Sequence, residues 1–302
     1  MHKKTIQQQF DLTGRVAIVT GGVGLLGSEF CWTLAQAGAA VIVADLNGEA
    51  AADLADSLTQ SGYQSRGVKI DVTNVDSIDA AVSATLSTFG RLDILVNSAA
   101  LDPKVRGQES VDQESGEQGT GKQGAGNQEK GISSPDSLSL PFEDYPLKLW
   151  QRALDVNLTG AMLCCQAVAK PMLKQESGVI INIASIYGLT APDQRLYQRD
   201  GQPHQYKPAY YTVTKAGILG LTKYLAAYYA GSAARIRVNA LTPGGVYNNQ
   251  SDDFVQVYSA RAVLGRMAEK DEMNGALLFL ASDASRYMTG ANLIVDGGWT
   301  TW

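Results

Sequence analysis

Seven short, β-rich apolar runs recur along the chain, at residues 16–20, 40–44, 64–70, 93–96, 179–183, 235–241 and 292–295. Most of the stretches between them carry the period of amphipathic helices. A run that is apolar along its whole length suits a strand buried on both faces, and a parallel sheet covered by helices on each side supplies that environment. Strands joined through helices run parallel. The near-obligatory right hand of such crossovers then leads to a doubly wound sheet with its site at the carboxyl ends of the strands. The expectation is an α/β chain with a seven-stranded parallel sheet in a single domain over residues 10–302, and 302 residues suffice to fill its core.

Two segments interrupt this rhythm. Residues 102–140 are rich in Gly, Gln, Glu and Ser, with almost no large apolar side chain between Arg106 and Lys130. They bury too little surface to offset their ordering entropy and read as a mobile surface insertion. Residues 191–208 are polar but chemically varied, holding Asp193, Gln194, Arg195, Tyr197 and His204, which points to specific contacts.

Composition narrows the function. A net charge of −5 argues against nucleic acid as a partner, because phosphate backbones are held by clustered Lys and Arg. No apolar stretch reaches the ~18 residues of a membrane span. Lys3 and Lys4 are followed by Gln7-Gln8-Gln9 instead of an apolar run, so the start does not read as a secretory signal. Cys31, Cys164 and Cys165 are an odd set that fits reduced thiols in a cytoplasm, and with only His2 and His204 no metal site is expected.

The first apolar run leads into Gly21-Gly22-Val23-Gly24-Leu25-Leu26-Gly27, with a helical pattern from about Leu25. Glycines there allow a tight turn, and the helix N-terminus offers free N–H groups to a pyrophosphate. Asp45 ends the second run, where a carboxylate can accept from the adenosine ribose hydroxyls and would repel a 2′-phosphate. Gly22 and Leu46 add no cation to neutralise such a phosphate, so the expected cofactor is NAD. The competing reading of Asp45 is a cap for the helix that follows it. Asp71 likewise reads either as a cap for the helix near Val75 or as an acceptor for an adenine amino group.

Tyr211 and Lys215 lie four residues apart in a helical pattern, which puts a phenol and an ammonium on one face. An ammonium close by favours the phenolate and can make a tyrosine a base near neutral pH. Other motifs accompany the pair in order: Asn97-Ser98-Ala99-Ala100, Asp155-Val156-Asn157, Asn182-Ile183-Ala184-Ser185, Pro243-Gly244, and Thr289-Gly290 through Asp296-Gly297-Gly298. Together they resemble the short-chain dehydrogenase/reductase family, in its branch with a single NAD(P)-binding Rossmann-like domain. The resemblance implies Tyr211 as general acid/base, Lys215 lowering its pKa and holding the nicotinamide ribose, Ser185 bonding the substrate oxygen and Asn157 completing a water-linked proton relay. It also implies cofactor contacts from Gly21, Gly24, Leu25, Leu26, Asp45, Leu46, Asp71, Val72, Asn97, Ser98, Ala99, Pro243, Gly244, Val246 and Asn248, besides Tyr211 and Lys215. A homo-oligomer, tetramer or dimer, is the family's usual state.

Departures from the family pattern carry information. The glycine spacing, with Leu25 where a middle Gly is usual, is similar to that of sugar-nucleotide epimerases and dehydratases that retain NAD, and Ala100 replaces a Gly. Ser185 precedes Tyr211 by 26 residues instead of about 13, and the excess is the Asp193 to Gln205 region. That insertion should overhang the substrate, with Asp193, Arg195 and Tyr197, together with Tyr247, as recognition residues. Residues 246–262 read as a mobile flap. The reading is a cytoplasmic NAD-dependent oxidoreductase for a polar, sugar-like secondary alcohol or ketone. The alternatives are an epimerase or dehydratase with retained NAD, or a non-catalytic NAD-binding regulator. The insertion, with Tyr247-Asn248-Asn249, also resembles a sub-branch linked to surface-sugar and flagellin modification.

Overall fold

The computed structural model describes residues 4–102, 140–198, 201 and 204–302. The expected insertion at 102–140 therefore lies, between Asp102 and Leu140, outside the described residues. Strands β1 (Val16–Thr20), β2 (Ala40–Asp45), β3 (Ser65–Lys69), β4 (Ile94–Asn97), β5 (Ser177–Ile183), β6 (Arg235–Pro243) and β7 (Asn292–Val295) form one sheet. It is parallel throughout, in the order β3-β2-β1-β4-β5-β6-β7. The order reverses between β1 and β4, and crevices at such switch points are where doubly wound sheets bind ligands.

Side chains alternate between two buried layers, as the pleat requires. Ala17, Val19, Val41, Val43, Ile94, Val96, Val179 and Ile181 meet the helices α2 (Leu25–Gln36), α3 (Gly48–Gln60) and α9 (Asn274–Ala281) on one face. Ile18, Ile42, Leu95, Ile180 and Val238 meet α4 (Val75–Phe89), α6 (Gly160–Lys174) and α7 (Ala209–Tyr229) on the other. Both layers are apolar, so the five-residue runs seen in the sequence are almost wholly apolar, with Thr20 and Asn182 as buried exceptions. The shorter helices α1 (Ile6–Phe10), α5 (Leu147–Leu154) and α8 (Asp252–Ser259) lie outside these layers.

The helix caps settle two alternatives left by the sequence. Asn47 caps α3 by accepting from Ala50 N–H, and Asn74 caps α4 by accepting from Ser77 N–H. Asp45 and Asp71 are therefore not the caps. Cys31, Cys164 and Cys165 are free and buried. Among the described residues no helix is long and apolar enough to cross a membrane, and no cluster of His, Cys, Asp or Glu could hold a metal.

Two glycines show which positions the turn after β1 depends on. Gly21 has φ +64° and passes so close to β4 that a Cβ would stand 2.7 Å from Ala99 Cα; a Cβ on Gly27 would stand 2.0 Å from the Gly21 carbonyl oxygen. Gly27→Ala should cost about 2–3 kcal/mol or more, because the clash is with backbone. Gly220→Ala, on the exposed face of α7 with nothing within 4 Å, should instead stabilise by about 0.5–1 kcal/mol. Chemical denaturation of the two variants checks both signs.

Candidate active site

The turn after β1 brings a set of donors to the switch point. Helix α2 begins at Leu25 with Gly24 as its N-cap and no side-chain cap, so its first-turn N–H groups, including those of Leu25 and Leu26, face outward for an anion. Thr20 Oγ1 accepts from Ser98 N–H (3.2 Å) and Ala99 N–H (3.3 Å), which ties the end of β4 to the end of β1. Asn97 donates to Asn182 Oδ1 at 2.9 Å, and Asn182 donates to Thr222 Oγ1 at 2.9 Å, so a buried polar chain joins β4, β5 and α7.

At the tip of β2 the Asp45 carboxylate accepts from Val23 N–H (3.2 Å) and Asn47 N–H (3.0 Å). It therefore stands beside the glycine turn, while Leu46 is exposed. Asp71 accepts from Thr73 through both its N–H and its hydroxyl, which holds its carboxyl below the usual range. Val72 is buried against Gly160. This donor set, with an uncapped helix start and a carboxylate at the second strand's end, fits a nicotinamide dinucleotide. The sequence reading passed over Lys69, which β3 places in register with Asp45 and whose stem lies against Gly48. Only strand register, which sequence spacing does not provide, would have revealed it.

Helix α7 starts after Pro208 and carries Tyr211 in its first turn and Lys215 in its second, both buried. Lys215 Nζ donates to the Ile183 carbonyl at 2.8 Å and sits 5.7 Å from the centre of the Tyr211 ring. Ser185, just past β5, shares a hydrogen bond with the Tyr211 hydroxyl and also accepts from Tyr187 N–H at 3.2 Å. Burial pushes the Tyr211 phenol well above its ordinary pKa; the Asp102 charge pushes the same way, and the Ser185 bond opposes both. The expected lowering by Lys215 is thus outweighed in the protein alone, because desolvation disfavours the phenolate more strongly. Burial also lowers Lys215, to about 8, with Asp102 opposing and Lys207 assisting.

Asn157 reaches this region because residues Asp155–Thr159 form a single π-helical turn between α5 and α6, a distortion that often marks functional sites. Its amide clasps Leu101, accepting from Leu101 N–H at 2.6 Å and donating to the Leu101 carbonyl at 3.0 Å. That clasp fixes the next residue, Asp102, which pairs with Lys207. Lys207 is buried and its Nζ lies 4.2 Å from the Tyr211 ring centre. Neither Asp102 nor Lys207 stands in a sequence motif. They are 105 positions apart, and no local pattern connects them.

The 191–208 insertion divides into two roles. Asp193 caps the short 3-10 turn Gln194–Tyr197 and bridges Arg195 and Arg261, so its carboxyl is held far below the usual range. It therefore ties the insertion to the segment after α8, while the Arg195 side chain remains 81% exposed. Tyr197 turns inward and donates to Tyr187 Oη at 3.0 Å. Tyr187 in turn meets Tyr211 edge-on at 6.5 Å between ring centres. Trp299 and Tyr258 stack at 5.9 Å behind them, and α8 inserts Phe254 and Tyr258 into the same cluster. Residues 246–262, expected as a flap, are thus folded onto the site in this structure. Tyr247 is partly exposed, Asn248 is exposed with its N–H donating to Gln250, and Val246 bridges to Ala268. Pro243 closes β6, and Gly244 N–H donates to Val295 O at 2.9 Å. A pocket of about 490 Å³ opens beside Lys207, between Tyr145, Gln194 and Thr212.

The chain is similar to known proteins over nearly its whole length. The family profile described as short chain dehydrogenase matches residues 15–118, and that described as Enoyl-(Acyl carrier protein) reductase matches residues 128–300. The D-threitol dehydrogenase of Mycolicibacterium smegmatis is 32% identical, over 98% of this chain and 96% of its own. The 3-alpha-(or 20-beta)-hydroxysteroid dehydrogenase of Mycobacterium bovis is 35% identical, over 95% and 90%. A gluconate 5-dehydrogenase from Burkholderia cenocepacia, solved with NADP and tartrate, superposes with a TM-score of 0.78 at 29% identity, covering 99% of this chain and 100% of that one.

The chain belongs to the short-chain dehydrogenase/reductase family. It is an oxidoreductase that uses a nicotinamide cofactor and acts on hydroxyl-bearing small molecules.

Lys215 makes a stability prediction with a definite sign. Its folded pKa of about 8 lies below the 10.5 of an exposed lysine, so between those values the unfolded chain binds more protons. Unfolding free energy at this group therefore rises with pH across that window, by at most about 1.4 kcal/mol per unit, and its cost is full below pH 8. From pH 8 to 10 the denaturant midpoint of wild type should rise relative to that of Lys215→Met.

Proposed function

We propose that this chain is an NAD-dependent dehydrogenase of a polar, sugar-like secondary alcohol, with Tyr211 as the general base in oxidation and general acid in reduction. The observation that carries this reading is the convergence of Tyr211, Ser185 and Lys215 where β5 ends and α7 begins, against the wall of Tyr187, Tyr258 and Trp299. The relatives' names span a tetritol and steroids, so the substrate class is argued from the site's own polar groups.

The nicotinamide ring, when bound, supplies the hydride acceptor, and its dinucleotide would be held by the α2 start, Asp45, Asp71, Val72 and the Asn97 to Ala99 segment. Tyr211 takes the carbinol proton as the C–H bond breaks, so no free alkoxide needs to form in an apolar wall. Ser185 donates to the same oxygen and holds it at the phenol. Lys215 would hold the nicotinamide ribose, and its ammonium offsets part of the burial that otherwise keeps the phenol neutral. Asn157 contributes to proton relay through the groups it orders. The aromatic wall excludes water from the reacting atoms.

The NAD preference rests on Asp45, whose carboxylate stands beside the Gly21 to Gly24 turn and would repel a 2′-phosphate. Val213, Tyr224 and Tyr228 are exposed along α7, the last two stacked at 6.1 Å, and this face supports a homo-oligomer. The free, buried cysteines are compatible with a cytoplasmic enzyme of one domain spanning residues 10–302.

Two measurements test this reading. Tyr211→Phe should lower kcat by about 10²–10⁴-fold while dinucleotide affinity holds, as removal of a general base does; full retained turnover would refute the assignment. Wild type should prefer NAD over NADP in kcat/KM, and Asp45→Ala should erode that preference by at least about tenfold, one lost repulsion of order 1.4 kcal/mol. A wild type that favours NADP would overturn the cofactor reading and point to Lys69.

A further inference from the structure

A second charged pair sits over the catalytic tyrosine, and the roles above leave it without a task. Lys207 is only 8% exposed, and its ammonium lies 4.2 Å from the centre of the Tyr211 ring. Its carboxylate partner, Asp102, has a side chain 54% exposed, so the pair is closed toward the protein and open on one side.

Both members are held from behind. Gln194 brackets the Lys207 backbone, accepting from its N–H at 2.9 Å and donating to its carbonyl at 3.0 Å. Asn157 brackets Leu101, immediately before Asp102, in the same two-bond manner. The Asp102 charge acts on Tyr187, Tyr197, Tyr210, Tyr211 and Lys215, which places it centrally in the wall around the reacting position. A structural ion pair does not need two dedicated clamps, and burying the Lys207 ammonium costs desolvation that one half-exposed partner scarcely repays.

We propose that Lys207 and Asp102 together receive a second hydroxyl of the substrate, next to the carbinol that reacts, so that the substrate class is an uncharged vicinal diol or polyol. This rests on the alcohol-dehydrogenase reading of Tyr211 and deepens it. A hydroxyl both donates and accepts, so one group satisfies the carboxylate and the ammonium at once. A monoalcohol leaves the buried ammonium and its carboxylate partner facing a methylene, and sites built to bond a hydroxyl reject analogues that lack it. A hydroxy acid would bring its carboxylate against Asp102, which acts as the repulsive element of the selection.

The test uses the purified full-length enzyme with saturating NAD and a matched four-carbon series: butan-2-ol, the stereoisomers of butane-2,3-diol, and 3-hydroxybutanoate. Wild type should turn over the best diol with kcat/KM at least about tenfold above butan-2-ol and above the hydroxy acid. Lys207→Met and Asp102→Asn should each reduce the diol-to-monoalcohol ratio by about tenfold or more, mainly through KM, and Lys207→Arg should keep most of it. Melting temperatures of the variants show whether each is folded, and the arginine variant keeps the test decisive if the methionine variant is not.

A ratio that is unchanged in both Lys207→Met and Asp102→Asn would overturn the proposal. So would a wild type that prefers the hydroxy acid, which would make Lys207 a carboxylate receptor. Turnover of alcohols without diol preference sinks this inference alone. Absence of turnover on any alcohol or ketone sinks the dehydrogenase reading and this inference with it.

Discussion

The seam between α7 and the end of β5 is the constraint on which the rest of the site depends. Lys215 crosses it to donate to Ile183 O, and the turn after Ser185 presses so closely on α7 that a Cβ on Gly188 would stand 2.7 Å from the Lys215 carbonyl carbon. This contact buries a phenol and an ammonium together, at a cost in solvation to each. The ammonium's reduced pKa and the phenol's raised one record the same physical event. Fixed charges then decide how easily the tyrosine can lose its proton, and the structure supplies three of them: Lys215, Lys207 and Asp102.

Those charges come from two distant stretches of chain, Asp102 after β4 and the two lysines around the start of α7, and each has its own means of support. Asn157, turned inward by the π-helical turn, holds Leu101 and so aims Asp102. Gln194, in the insertion unusual for the family, holds Lys207. The insertion is itself fastened to the segment after α8 through Asp193 and Arg261. The residues expected to touch substrate in that insertion, Asp193 and Tyr197, therefore serve as fastener and wall, and the ammonium over the catalytic ring comes from the insertion's far end.

Much of the fold was legible because both faces of the sheet are apolar. Runs such as Val16 to Thr20 and Asn292 to Val295 coincide with the strands that form, and β5 and β6 differ only by extending two residues further at one end. Tyr211 and Lys215 were legible because helical spacing alone puts them on one face. Caps were less so: Asp45 and Asp71 compete with Asn47 and Asn74 for the same task, and side-chain geometry selects the asparagines. The Asp102 and Lys207 pair was hidden, since it depends on tertiary contact between a strand exit and an insertion. The π-turn was hidden too, because the helical pattern of α5 continues through residues 155–159 into α6, and Gly160 follows the turn without breaking the helix.

Burial keeps Tyr211 neutral in the protein alone, with Asp102 reinforcing that state. Tyrosine Cζ-labelled NMR, with Tyr211→Phe to assign the resonance, reads the ionisation of this phenol directly. Tyr211 should show no titration up to about pH 10 in the cofactor-free enzyme and a lower pKa in Asp102→Asn. A phenol that already ionises below its ordinary value in the cofactor-free wild type would contradict it.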